Sequence, residues 1–177
     1  MKVGLDIQHG GKPGNLDDRG ATAGNLCELD FTHRYSHVAF RNLHKAGCSV
    51  VIFSDDHYEN RHERANRLGL DCYVALHMNA GGGYRGEVYF DSRTRPGGGQ
   101  ELSRNVATAL DKRVPWPVET KPCGPGDRAF ECIKGVKAPA IVYEPAFLDG
   151  ENPASLVYCV EFGRALAEGI ISWGWSR

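Results

Sequence analysis

Two histidines and two glutamates stand where this chain could carry out hydrolytic chemistry. His9 follows the apolar alternation Val3, Leu5, Ile7 and is followed at once by Gly10 and Gly11. His77 closes a second apolar run, CYVAL, and leads through Asn79 into the glycine triplet 81–83. Glu28 opens a long amphipathic segment, and Glu144 ends the apolar run AIVYE. Imidazole nitrogens and carboxylate oxygens are zinc donors. Three of them leave a fourth position open on a tetrahedral ion, which is the pattern of a catalytic site rather than a structural one. A carboxylate beside that open position is a natural general base for hydrolysis. His9, Glu28 and His77 are therefore candidate zinc ligands, and Glu144 is the candidate catalytic carboxylate.

Each residue alone has a plainer reading. A histidine at a strand end is often a satisfied polar residue, an acid near a helix start is favoured by the helix dipole, and Glu144 could belong to a structural ion pair. The case for a site rests on all four meeting at one edge, so it depends on the elements that carry them. Val3–Ile7, CSVVIF at 48–53, the run 71–79, GEVYFDS at 86–92 and AIVYEPAF at 140–147 read as strands. Between them, Phe31, Tyr35, Val38, Ala39, Leu43 and Ala46 recur at helical spacing up to Gly47. Residues 59–69 form a polar helix closing on Gly69, and Leu102, Val106 and Leu110 mark a third helix. Leu156, Val157, Val160, Leu166, Ala167 and Ile170 line a final one. Residues 10–27 read as a long loop. Residues 115–139, with five prolines and three glycines, read as irregular with a short helix or turn near Ala129–Ile133. Strands alternating with helices predict an α/β fold, a twisted, mostly parallel sheet flanked by helices on both faces. In such a sheet the carboxyl ends of the strands share one edge, where ligands bind.

A chain of 177 residues fits a single domain, and no linker or internal repeat divides it. A net charge of −1 and a pI near 6.6 carry no basic nucleic-acid footprint. No apolar run approaches the roughly 20 residues of a membrane-spanning helix. The start, MKVGLDIQHGG, lacks the regions of a secretory signal, so synthesis and retention in the cytoplasm are expected unless another agent releases the protein. Six scattered cysteines without a C-x-x-C pair read as free thiols, with Cys123 and Cys132, which flank a loop-like segment, the nearest to an exception. His33 and His37 read as part of a polar helix face, and His57 and His62 as surface residues. The loop HGGKPGN lacks phosphate-cradle spacing, and no nucleophile elbow is present.

The order LDIQHGG, NLCELDF, ERANRLGLDCYVALHMNAG, GEVYF and APAIVYEPAFL resembles the zinc-dependent N-acetylmuramoyl-L-alanine amidases of the Amidase_3 type, which include bacterial wall-remodelling enzymes and phage endolysins. The resemblance runs from Val3 to about Gly169. Its most specific pieces are H-G-G at 9–11, R-A-N at 64–66, H-x-N-A at 77–80 and E-x-x-F at 144–147. It implies a sheet of about six strands, one zinc ion, and cleavage of the amide joining the lactyl group of N-acetylmuramic acid to L-alanine in peptidoglycan. By position it assigns His9, Glu28 and His77 to zinc and Glu144 to catalysis. The family usually has glycine where this chain has Gln8 and Ala146. Both changes leave the four residues in place.

One catalytic domain over 1–177 with no separate wall-binding domain is expected from the sequence, and a monomer is compatible with it. With no signal or wall-anchoring repeat, the chain looks most like a phage endolysin, made in the host cytoplasm and reaching the wall after release. A bacterial amidase trimmed to its catalytic domain would look identical. Two other readings stay open: another zinc peptidase or amidohydrolase on the same scaffold, and a non-catalytic wall-binding module with structural zinc.

Overall fold

The computed structural model describes residues 1–10, 17–54, 57–93, 98–150 and 156–176. Its centre is a six-stranded sheet. Strand β1 (Lys2–Ile7) is followed by a small hairpin, β2 (Thr22–Ala23) and β3 (Leu26–Cys27), and by helix α1 (Glu28–Lys45). Then come β4 (Ser49–Phe53), α2 (Tyr58–Leu68), β5 (Cys72–Leu76), β6 (Gly86–Asp91) and α3 (Gly99–Asp111). The chain continues with β7 (Val118–Cys123), α4 (Arg128–Glu131), β8 (Ala140–Glu144), a 3₁₀ turn at Leu156–Tyr158 and α5 (Cys159–Trp175). The sheet order is β4-β1-β5-β8-β6-β7. Its pairs are parallel except β6 with β8.

Burial on both sides explains why the inner strands read as unbroken apolar runs. Val3, Leu5, Ile7, Val74, Leu76, Ile141 and Tyr143 point to the face covered by α1, α3 and α5. Tyr73, Ala75, Ala140 and Val142 point to the face covered by α2 and α4. Helix α5 lies close against its neighbour because of Gly169, where a Cβ would stand 2.5 Å from the Cα of Val106.

The mostly parallel, two-sided sheet agrees with the sequence reading, and four local features differ from it. The sixth strand, β7, lies inside the stretch read as irregular. It carries Pro122 and occupies the sheet edge, the position where a missing backbone donor is tolerated. Within the long loop, residues 17–27 include the β2–β3 hairpin, while 11–16, with Gly11 of the H-G-G motif, lie outside the described residues. His62 is buried, its ring edge-on to Tyr73. Val157 and Val160 are 72% and 41% exposed, while Leu166, Ala167 and Ile170 do line the apolar face of α5, joined there by Phe162 and Trp173.

All six cysteines are free. No helix among the described residues is long and apolar enough to cross a membrane. The R-A-N motif is structural: Ala65 is buried, and Asn66 donates to Gly135 O and accepts from Lys137 N, tying α2 to the approach to β8.

One buried charge pair stands beneath the strand ends. Arg61 Nη1 donates to Asp6 Oδ1 and to Ile7 O, both at 2.7 Å, with Asp6 and Arg61 essentially inaccessible. Tyr73 and Gln8 also donate to Asp6. Gln8, where the family usually has glycine, thus points its amide down into this network. Removing one partner leaves a buried charge uncompensated, so Arg61→Ala is expected to cost about 3–5 kcal/mol, read from urea denaturation.

Candidate metal centre and active site

Three elements bring the first three candidate residues together. His9 leaves the end of β1, His77 the end of β5, and Glu28 is the first residue of α1, where the helix dipole favours an acid. The Glu28 side chain is 96% buried or more, and it is held from four directions. Its Oε2 accepts from Ala21 N at 2.9 Å and lies 3.2 Å from His9 Nε2. Its Oε1 accepts from Met78 N at 2.9 Å and lies 2.7 Å from His77 Nδ1. The two imidazoles meet edge to face, 5.3 Å between centroids. Tyr35, buried on α1, donates to His77 O at 2.9 Å and fixes the end of β5.

One donor atom from each of His9, Glu28 and His77 lies within 4.8 Å of the others, the one such group among the described residues. Two imidazole nitrogens and one carboxylate oxygen suit zinc, and three protein donors leave room for substrate or water. The electrostatics agree. Burial opposes ionisation of Glu28, but hydrogen bonds from His77 and His9 outweigh it and hold the carboxyl far below its usual range. Burial likewise opposes charge on His77, yet Cys132 and Glu28 raise its pKa well above that of a free imidazole. The cluster favours positive charge between its donors.

Glu144 lies at the end of β8 and lines the same cleft, a cavity of about 990 Å³ that also contains His9, Glu28 and His77. It faces Glu87 directly across the β6–β8 pair. Such opposed residues stand roughly 4.5–5.5 Å apart at Cβ. Two carboxylates so placed cannot both be comfortably ionised, and their surroundings divide them. Glu87 Oε1 accepts from Arg85 and Lys121, and its Oε2 accepts from Tyr89 and from Asn79 at 2.6 Å. Burial opposes its charge, but these donors, led by Lys121, keep it below the usual carboxylate range. Among the described residues, no side chain donates to Glu144 in that way. Burial lifts its pKa to about 7, with His77 opposing and the charges of Glu28 and Glu87 adding. Pairs of acids pushed apart in this way mark acid–base chemistry.

The four residues singled out from the sequence therefore share one cleft. Sequence reasoning missed Glu87, whose only trace is the alternation of GEVYF, and the partners on the outer sides of the two imidazoles. His9 Nδ1 lies 3.1 Å from Asp18 Oδ2, and His77 Nε2 lies 3.3 Å from Cys132 Sγ. Ala146, the second departure from the family pattern, is buried, and its carbonyl accepts from Asn79 N at 3.0 Å.

A His–Glu–His donor set at the carboxyl edge of an α/β sheet, with a further acid in the same cleft, is an arrangement suited to metal-dependent hydrolases. Residues 3–172 match the Amidase_3 family, described as N-acetylmuramoyl-L-alanine amidase, and the chain belongs to that family. It is 28% identical over 176 residues to the N-acetylmuramoyl-L-alanine amidase CwlM of Bacillus licheniformis, a match covering 96% of this chain and 65% of that protein. It is 27% identical over 179 residues to the endolysin of Bacillus phage SPP1, covering 94% of this chain and 62% of that one. This chain thus spans about two-thirds or less of the length of these curated relatives. The fold matches that of the amidase AmiC2 of Nostoc punctiforme with a TM-score of 0.83 at 22% identity, over 100% of this chain and 98% of that one.

Proposed function

We propose that this chain is a zinc-dependent N-acetylmuramoyl-L-alanine amidase of peptidoglycan, with His9, Glu28 and His77 holding the metal and Glu144 moving the proton. The observation that carries the proposal is one buried carboxylate shared by two strand-end imidazoles in a cleft containing a second, separately tuned carboxylate. A zinc ion held there supplies Lewis acidity, which can lower the pKa of water from 15.7 to about 7 and stabilise negative charge on the scissile carbonyl oxygen. Glu144 takes a proton from the attacking water as the new carbon–oxygen bond forms at the lactyl carbonyl. It returns that proton to the nitrogen of L-alanine as the carbon–nitrogen bond breaks. The products are a lactyl carboxylate and a stem peptide with a free L-alanine amino terminus. Glu87, already saturated with donors, takes no part in the transfer, and its charge adds to the burial that makes Glu144 basic.

Digestion of purified peptidoglycan with zinc-loaded protein, with and without a chelator, tests this by mass spectrometry of the products. Intact stem peptides beginning with L-alanine are expected, with no new reducing sugar ends and no release when the metal is removed. Cleavage inside the stem peptide points instead to another zinc peptidase, and zinc binding without cleavage to a wall-binding module. The setting we propose is lysis of a host cell wall by a phage, a role supported by the likeness to the SPP1 endolysin. Expression together with a membrane-permeabilising holin is expected to lyse cells, and a Glu144→Gln variant is not.

A further inference from the structure

The two candidate ligand histidines present opposite nitrogens to Glu28: His9 uses Nε2 and His77 uses Nδ1. For both to offer a lone pair inward, His9 must carry its proton on Nδ1 and His77 on Nε2. Each of those outward nitrogens has a partner. Asp18 Oδ2 lies 3.1 Å from His9 Nδ1, and its other oxygen, Oδ1, accepts from Gly20 N at 3.0 Å. Gly20 has a positive φ, and a Cβ there would meet Glu28 Oε2 at 2.5 Å and His9 Cδ2 at 2.7 Å, so the turn that aims Asp18 is closed tightly against the site.

Cys132 Sγ lies 3.3 Å from His77 Nε2 and 3.4 Å from Arg128 O. The thiol can satisfy both contacts at once: its S–H donates to the carbonyl while sulfur accepts the imidazole N–H. The Cys132 backbone is itself anchored, its carbonyl 2.9 Å from His62 Nε2. This explains why His62, with a surface-like sequence context, is buried.

Building on the ligand set proposed above, we infer that Asp18 and Cys132 are positioning residues that lock the two ligand histidines in opposite tautomers. Outer partners of metal-binding histidines fix ring orientation and basicity, and their loss typically costs 10–100-fold in metal affinity. The two partners differ in strength. A carboxylate accepts far more strongly than a thiol, so Asp18 contributes more than Cys132.

Zinc affinity, measured by competition with a chromophoric chelator, tests the inference together with the melting temperature of the metal-free proteins. Asp18→Ala is expected to weaken zinc by about 10–100-fold, and Cys132→Ala by about 10-fold, at the low end of that range. Cys132→Ser, which keeps a donor and an acceptor, is expected to restore most of the loss. Asp18→Asn offers one carbonyl oxygen where two acceptors are used, and is expected to fall between Asp18→Ala and the parent. Parent-like affinity in both alanine variants overturns the positioning role while leaving the ligand set intact. So does a serine variant as weak as the alanine one, or a loss that merely follows the melting temperature. A parent protein that binds no zinc overturns the ligand set itself, and this inference with it.

Discussion

Glu144→Gln is expected to retain zinc with parent-like affinity while losing about 10²–10⁴-fold in turnover of peptidoglycan, the range for loss of a positioned general base. The substitution keeps the volume and removes only the ability to accept a proton. Because burial sets the Glu144 pKa at about 7, and the base must be ionised to work, kcat/KM in the parent is expected to fall as pH drops through that region. Positive charge from a bound ion favours the ionised form, so the acid limb with zinc present lies at or below about 7. The same shift has a consequence for stability, with a definite sign. A carboxyl whose pKa rises on folding binds its proton more tightly in the native state, so the metal-free protein loses stability as pH rises from about 4.5 through 7. Glu144→Gln removes that penalty, and its metal-free form is expected to melt higher than the parent at pH 8. An inactive variant that binds zinc and gains stability identifies a residue kept for chemistry. Parent-like turnover in Glu144→Gln removes this residue from the mechanism.

The four site residues were legible in the sequence because each follows a strong local signal: two histidines and one glutamate terminate apolar strands, and Glu28 begins a clear helical period. Parallel topology then leaves only one edge at which they can meet. The charged network beside Glu144 was not legible. The antiparallel partner of Glu144, Glu87, comes from β6, and the donors that saturate Glu87 come from positions 79, 85, 89 and 121, so their meeting depends on register across three strands. Strand β7 was hidden by its own composition, since Pro122 and the flanking Pro117 and Pro125 argue against a strand anywhere but at an edge. His62 and Cys132 look unremarkable in their local contexts. They acquire roles only because α2 and α4 cover the same face of the sheet, bringing residues 70 positions apart into a hydrogen bond. Asp18 is nine residues from His9 in sequence, and no motif links the two.

Glu28→Gln is the counterpart on the binding side, and its effects are expected to run the other way. The carboxylate is shared between His9 Nε2 and His77 Nδ1 and is braced by the Ala21 and Met78 amides. Glutamine retains one acceptor oxygen and replaces the other with an NH₂ group that clashes electrostatically with an amide donor or a protonated imidazole. Loss of an outer partner already costs 10–100-fold in metal affinity, so loss of this anionic ligand is expected to weaken zinc by more than about 100-fold and to abolish measurable amidase activity. A ligand that binds only the native state stabilises it by about 4 kcal/mol at 1,000 times its Kd. Added zinc should therefore raise the melting temperature of the parent and of Glu144→Gln, but not of Glu28→Gln at the same concentration. The metal-free comparison also reverses. Glu28 is held ionised below its usual range by the histidines despite its burial, so its charge contributes stability above about pH 4.5, lost as pH falls through its depressed pKa. His77 shares that interaction from the other side, and its contribution is present below about pH 6.5 and fades as pH rises through its elevated pKa. Metal-free Glu28→Gln is thus expected to melt below the parent most clearly near pH 6, where Glu28 is ionised and His77 protonated. Opposite signs for the two glutamates, one stabilising and one destabilising when neutralised, separate ligand from base without any assay of turnover. A zinc-induced shift in Glu28→Gln equal to that of the parent places the metal elsewhere.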